Sequence, residues 1–163
     1  MGLFDKIFKA KKSGLVLGAH VQGEAVPLSE VSDPTFGEEI MGKGVAVKPT
    51  GNKVVAPCDA TVDMMFDTGH AVSLVADSGA EILIHVGLDT VNLKGQHYTV
   101  IAKNGDHVKK GDLLMEFDIA AIQAAGYDTV TPIVICNSDN YTDFIPHVGA
   151  DVSAGDVILE LTK

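Results

Sequence analysis

Apolar residues in this chain recur in short alternating runs broken by glycine and proline. Runs at 45–48 and 53–56 flank a Pro49-Thr50-Gly51-Asn52 turn, and runs at 61–66 and 71–76 flank Asp67-Thr68-Gly69-His70. Asp77-Ser78-Gly79 then turns the chain into Ile82, Leu83, Ile84 and Val86, a nearly continuous apolar run that predicts a strand covered on both faces. A looser alternation over 19–26 predicts another strand. Many short strands with Gly and Pro turns at near-regular spacing indicate an all-β sandwich or barrel. Helical signals are few. Residues 28–31 suit a single turn. Asp33-Pro34 opens a short helix reaching Met41, with proline at its first position. Residues 118–125 give the clearest internal helix, with Asp118 as N-cap and Gly126 just past its end.

The pattern repeats itself once. Gly105, Val108, Gly111, Asp112, Glu116 and Phe117 are echoed by Gly149, Val152, Gly155, Asp156, Glu160 and Leu161. The shared string is G-x-x-V-x-x-G-D, three apolar residues, Glu, then an apolar residue. Each copy reads as a turn feeding a strand, and two copies imply pseudo-symmetric halves. The spacing resembles the turns of biotinyl and lipoyl carrier domains. Their modified-lysine tripeptides are missing, so that likeness concerns architecture and not cofactor.

Composition narrows the function. The chain has 163 residues, 46% of them hydrophobic, enough for one domain with a sizeable core. Its formal net charge is −10, which removes the basic footprint a nucleic-acid binder needs and suits a basic protein partner. Cys58 and Cys136 lack any CxxC spacing and read as reduced core residues of a cytoplasmic protein. No run reaches membrane-spanning length, and no signal peptide is evident. Residues 1–12 stand apart. Leu3, Phe4, Ile7 and Phe8 fall at helical spacing, with Lys6, Lys9, Lys11 and Lys12 on the rest. That is the pattern of a weak interfacial contact with anionic lipid, or of a frayed terminus. Residues 1–17 thus read as an amphipathic segment plus linker, and 18–163 as one domain.

Candidate chemistry centres on His85, an imidazole set inside the apolar run just before Gly87 and Asp89. A strand would hold the ring rigidly, and a carbonyl of the Gly87 turn could fix one nitrogen. His70 follows the Thr68-Gly69 turn, where the Thr68 hydroxyl could set its tautomer. In an antiparallel hairpin centred on 77–79, opposite residue numbers add to about 156. His70 and His85 come within one of that condition, so the rings can meet. His20, His97, His107 and His147 are ordinary without partners. The pair admits a metal site with Asp89, general acid/base hydrolysis, or phosphoryl transfer onto a histidine nitrogen.

The residues also carry a resemblance. The segments Gly42 through Asn52, Val55-Ala56-Pro57, Phe66 through Ala71, Ile84 through Val91, Leu93-Lys94-Gly95, Val108 through Asp112, Glu116-Phe117-Asp118 and Thr131-Pro132 are similar to the glucose-family enzyme IIA component of the bacterial phosphoenolpyruvate–sugar phosphotransferase system. The resemblance implies an all-β fold, an antiparallel sandwich with barrel-like closure and a few short helices. It also implies that His85 is phosphorylated, His70 stabilises the phosphoryl group, Thr68 orients His70, and the Gly87 carbonyl fixes His85. It implies a docking face with Asp33 and Asp89 on its rim and Phe36, Phe66 and Leu83 in its lining. Asn92 stands where an acidic residue often completes that rim. The implied partners are the histidine phosphocarrier protein, the sugar-specific IIB/IIC permease, and regulatory proteins met when unphosphorylated. No metal or organic cofactor is implied.

Overall fold

The computed structural model describes residues 14–163, so the amphipathic reading of 1–12 lies outside the described residues. The strands are β1 (Gly14–Gly18), β2 (Gly23–Pro27), β3 (Lys43–Pro49), β4 (Lys53–Val55), β5 (Ala60–Met65), β6 (Ala71–Ala76) and β7 (Glu81–His85). They continue with β8 (Tyr98–Val100), β9 (His107–Val108), β10 (Leu113–Phe117), β11 (Thr131–Ile135), β12 (Asp143–Pro146), β13 (Asp151–Val152) and β14 (Val157–Thr162). Two short α-helices, α1 (Pro34–Gly37) and α2 (Ile119–Ala124), join them. Every strand pairing is antiparallel.

The strands form one eight-stranded sheet, β13-β2-β3-β11-β7-β6-β5-β9, and two three-stranded sheets, β1-β14-β12 and β4-β10-β8. The all-β expectation holds. The sheets are open in order, and no closed barrel forms among the described residues. The sequence echo becomes a pseudo-twofold. β9 and β13 occupy opposite ends of the large sheet, while β10 and β14 are the centres of the two small ones. Matching bonds recur in each half. Asp112 Oδ2 accepts from Lys109 N at 2.9 Å and Asp156 Oδ2 from Ser153 N at 2.8 Å. Gly111 N donates to Ala56 O, and Gly155 N to Ala19 O, both at 2.9 Å.

Period-two alternation splits the large sheet's side chains into two cores. Ala25, Val45, Val47, Ile82, Ile84, Ile133 and Ile135 enter the main core between the sheets. Their neighbours Val26, Ala46 and Val134 face the other way, into a small cluster closed by Leu28, Val31, Phe36, Leu88 and Val130. Leu83 is only partly buried and packs against that cluster. The face of β7 that carries Leu83 and His85 is therefore covered incompletely, which corrects the two-sided burial expected of this strand. The β6–β7 register is the expected one, with Ala71 opposite His85 and Val72 opposite Ile84.

Other expectations change. Residues 14–17, read as linker, belong to β1, which pairs with β14 from Gly14↔Thr162 onward and buries Leu17 completely. The 49–52 turn does not close a hairpin. Thr50 and Gly51 both donate to Gln22 O, and β4 joins β10 instead. Helix α1 ends at Gly37, well before Met41, because Glu39 adopts a left-handed φ of 61°. Helix α2 forms as expected, with the Asp118 carboxylate accepting from Ala121 N at 3.0 Å. Cys58 is buried, but Cys136 is exposed.

His20 is the buried titratable group that the sequence hides. It is fully buried, and its Nε2–H donates to Thr131 O at 2.8 Å. Its Nδ1 has no partner. Burial pushes its pKa down from 6.5 to about 4, against the smaller upward pull of the Thr131 carbonyl. The folded chain therefore holds fewer protons than the unfolded chain between those values, and stability falls as pH drops through that window. His20→Gln keeps an N–H for Thr131 and removes the titration. From about pH 7 to pH 5 the parent should lose about 2 kcal/mol more stability than this variant. Urea unfolding at both pH values reads the difference, and equal losses would exclude His20 as the source.

Candidate functional site

Strand β7 carries His85 at its C-terminal end, beside β6, which begins at Ala71. Strict alternation would send His70 to the face opposite Ala71, and so away from His85. His70 lies just outside β6, after Gly69 with its φ of +74°, and escapes the pleat. The imidazole centroids come to 5.1 Å, edge to face. Phe36 packs 5.2 Å from His85, and Phe66 lies 5.3 Å from His70. The four rings make a row, Phe36–His85–His70–Phe66, across the rim of the small cluster.

Each imidazole has one nitrogen fixed. His85 Nδ1 lies 2.7 Å from the Gly87 carbonyl oxygen. A carbonyl only accepts, so Nδ1 carries the proton, and the neutral ring keeps its lone pair on Nε2. His70 Nδ1 shares a 2.5 Å hydrogen bond with Thr68 Oγ1. Gly87 is required for its bond. Its φ is +87°, and a Cβ there would lie 2.6 Å from Thr90 Cγ2 and 2.9 Å from Asp128 O. The turn is held from behind by Gly87 N–H to Val130 O and Leu88 N–H to Asp128 O, both at 3.0 Å.

Both rings are held neutral. Burial, and after it the neighbouring His85, lower the His70 pKa from 6.5 to about 4. Burial also lowers that of His85, opposed first by the Gly87 carbonyl and then by the Asp33 and Asp89 carboxylates. Asp33 is half-buried and caps α1 by accepting from Thr35 N at 3.0 Å. Asp89 is exposed, in a left-handed conformation at the start of the Thr90–Leu93 turn. Leu83 reaches the same face from β7. The structure thus gathers the expected set: Thr68, His70, His85 and Gly87 at the centre, with Asp33, Phe36, Phe66, Leu83 and Asp89 around them. Among the described residues no group of three His, Cys, Asp or Glu side chains is placed to hold a metal, so His70, His85 and Asp89 do not form the ligand set of the metal reading. An open cleft of about 680 Å³, lined by Asn52, His97 and Glu116 among others, includes neither histidine.

The chain can now be compared with known proteins. A family profile described as "phosphoenolpyruvate-dependent sugar phosphotransferase system, EIIA 1" matches residues 15–141. The chain belongs to this family. It is 43% identical to the "PTS system glucose-specific EIIA component" of Haemophilus influenzae, over 100% of both chains. It is 45% identical to the protein of the same name from Oceanobacillus iheyensis, covering 94% of this chain and 95% of that one. A 48% identical relative in Dickeya chrysanthemi is a "PTS system beta-glucoside-specific EIIBCA component", of which the match spans 22%. Among solved structures, "glucose permease IIA from Mycoplasma capricolum" superposes with a TM-score of 0.83 at 31% identity, covering 90% of this chain and 95% of that one. The family expected from the motifs is the family found. EIIA components are phosphotransferase-type proteins of sugar transport, and in the EIIBCA relatives the EIIA part is joined to IIB and IIC parts.

Sequence reasoning missed the support behind the pair. Tyr98 Oη and Thr90 Oγ1 both donate to Val86 O at 2.7 Å, and Val86 N–H donates to His70 O at 2.6 Å. The geometry predicts that nitrogen-15 spectra at neutral pH show His85 as its Nδ1–H tautomer. Both rings should titrate below the free-histidine value of 6.5, His70 near pH 4. A protonated His85 at neutral pH would contradict the electrostatic balance described here.

Proposed function

We propose that the chain is the IIA phosphocarrier of a sugar phosphotransferase system, with His85 as the group that carries the phosphoryl. The observation behind this is the His85 Nδ1–H bond to the Gly87 carbonyl, which leaves Nε2 as a fixed lone pair beside His70. Nε2 attacks the phosphorus of a phosphohistidine on the histidine phosphocarrier protein. A new N–P bond forms as the donor's N–P bond breaks. The His85 ring becomes cationic with its proton still on Nδ1, where the Gly87 carbonyl and the carboxylates of Asp33 and Asp89 oppose the cost of that charge. With Thr68 Oγ1–H donating to His70 Nδ1, the His70 Nε2–H is free to donate to a phosphoryl oxygen. Transfer of this kind depends on positioning and electrostatics. The group then passes to a cysteine sulfur of the sugar-specific IIB domain.

The same face serves docking. Phe36, Phe66 and Leu83 supply apolar contact, and Asp33 and Asp89 meet a basic carrier. Unphosphorylated, this face binds regulatory proteins. The setting is cytoplasmic. No helix among the described residues is long and apolar enough to cross a membrane. We take the phosphocarrier domain to begin with β1, and residues 1–12 to give a weak, transient membrane contact.

Intact-mass spectrometry after incubation with phosphoenolpyruvate, enzyme I and the phosphocarrier tests the assignment. The parent chain should gain one acid-labile phosphate, His85→Ala none, and His70→Gln one that passes on to IIB much more slowly. A normal adduct on His85→Ala would sink the reading. For docking, Asp89→Asn should lower the association rate with the carrier several-fold at low salt, an effect that shrinks as salt rises. A deficit independent of ionic strength, measured by stopped flow, would instead give Asp89 a structural task in its turn.

A further inference from the structure

We infer that Tyr98 is a positioning residue for the histidine pair, tying the Thr68–His70 turn to the peptide that orients His85. The inference rests on the phosphocarrier reading of the site for its consequence in transfer, and on geometry alone for the tie itself.

Tyr98 opens the edge strand β8 and is half-buried. It reaches the pair by two routes. Its hydroxyl donates to Val86 O at 2.7 Å. Val86 stands between His85 and Gly87, so a donor on its carbonyl fixes the peptide plane that leads into Gly87. The orientation of that plane helps determine where the Gly87 carbonyl points, and that carbonyl holds His85 Nδ1. The second route is the tyrosine's own carbon framework. A Cβ at Gly69 would lie 3.0 Å from Tyr98 Cβ and 3.0 Å from Val100 Cγ2. Gly69 separates Thr68 from His70, so β8 forms the wall against which this turn closes. Val86 N–H completes the circuit by donating to His70 O at 2.6 Å. One side chain therefore bonds to the peptide that leads into Gly87 and backs the turn that leads into His70.

Thr90 shares the Val86 carbonyl, so the hydroxyl of Tyr98 is one of two anchors and its loss should loosen the peptide without freeing it. The two routes separate by mutation. Tyr98→Phe keeps the ring against Gly69 and removes the hydroxyl. Tyr98→Gly removes the hydroxyl together with the Cβ and Cγ that face Gly69.

The test uses the full chain and three readouts. Nitrogen-15 tautomer signatures of His70 and His85 need no phosphoryl donor. Single-turnover phosphate acceptance over a range of phosphocarrier concentrations separates kcat from KM. Thermal unfolding monitors the fold. Tyr98→Phe should give a mixed His85 tautomer, an unchanged His70 signature, and a kcat down about tenfold at constant KM, since small misplacements of reacting groups cost this much or more. Tyr98→Gly should disturb both signatures and lower kcat further. Unchanged tautomers in both variants, or a kcat within about twofold of the parent in Tyr98→Phe, would overturn the inference. So would a fall in melting temperature that tracks the loss of activity while the tautomers stay fixed. If the parent itself took no phosphate, the phosphocarrier reading would fail, and the tautomer readout would still decide whether Tyr98 orients His85.

Discussion

The site depends on one hydrogen bond, from His85 Nδ1 to the Gly87 carbonyl. It spans only two residues, yet much of the surrounding fold is needed to keep it. Gly87 must adopt a left-handed φ in a place where a Cβ would strike Thr90 and Asp128. Its N–H must find Val130, just before the start of β11. The preceding peptide must be held at the Val86 carbonyl by two hydroxyls and at its N–H by His70. His85 itself sits at the end of a strand flanked on both sides, which removes the freedom a loop histidine would have. The result is an imidazole whose free nitrogen is selected by backbone geometry.

Burial and charge then divide the work. Desolvation keeps both imidazoles neutral at rest, so the Nε2 lone pair of His85 stays unprotonated. The Gly87 carbonyl, Asp33 and Asp89 pull the other way, toward a cationic His85 ring. His70 has no such carboxylate support. Its pKa drops to about 4 under burial and the proximity of His85. The two rings are chemically distinct for that reason, although they lie 5.1 Å apart.

Much of this was legible because it is local. The β6–β7 register follows from a tight turn and the period of two, so the histidines' encounter could be worked out from residue numbers. Gly87 and Thr68 are each two residues from the ring they hold. The echo at 105–117 and 149–161 survives as a symmetric pair of strands because its glycines and aspartates close the same turn in each copy. What stayed hidden is non-local. β1 looked like linker because its partner, β14, is the last strand of the chain. The 49–52 turn was evident, but not that it leads from one sheet into another with its donors going to Gln22. His20 gave no signal, since its bond to Thr131 crosses 111 residues. Tyr98 follows a left-handed His97 in a stretch without clear periodicity, and nothing in the string ties it to Val86.

The pseudo-twofold explains why the chemistry occupies one half only. The order of the large sheet is a palindrome about the β7–β11 pair: β3 mirrors β6, β2 mirrors β5 and β13 mirrors β9. The matched bonds of the two halves, Val62 with Asp106 and Ala25 with Ala150, carried through the strand registers, place Val134, a buried apolar residue, where the symmetry would repeat His85. No second site results. Two residues further on, partial desolvation and then Glu81 push the pKa of the exposed Cys136 thiol up, away from a reactive thiolate. Its neighbour Asn137 has a structural task instead. Asn137 Oδ1 accepts from Glu81 N at 2.9 Å, and its Nδ2 donates to Gly79 O at 3.1 Å. Those two bonds pin the turn between β6 and β7. That turn sets the register that brings Ala71 opposite His85 and lets His70 close over it. The symmetric half has lost the imidazole and holds the hairpin on which the remaining pair depends.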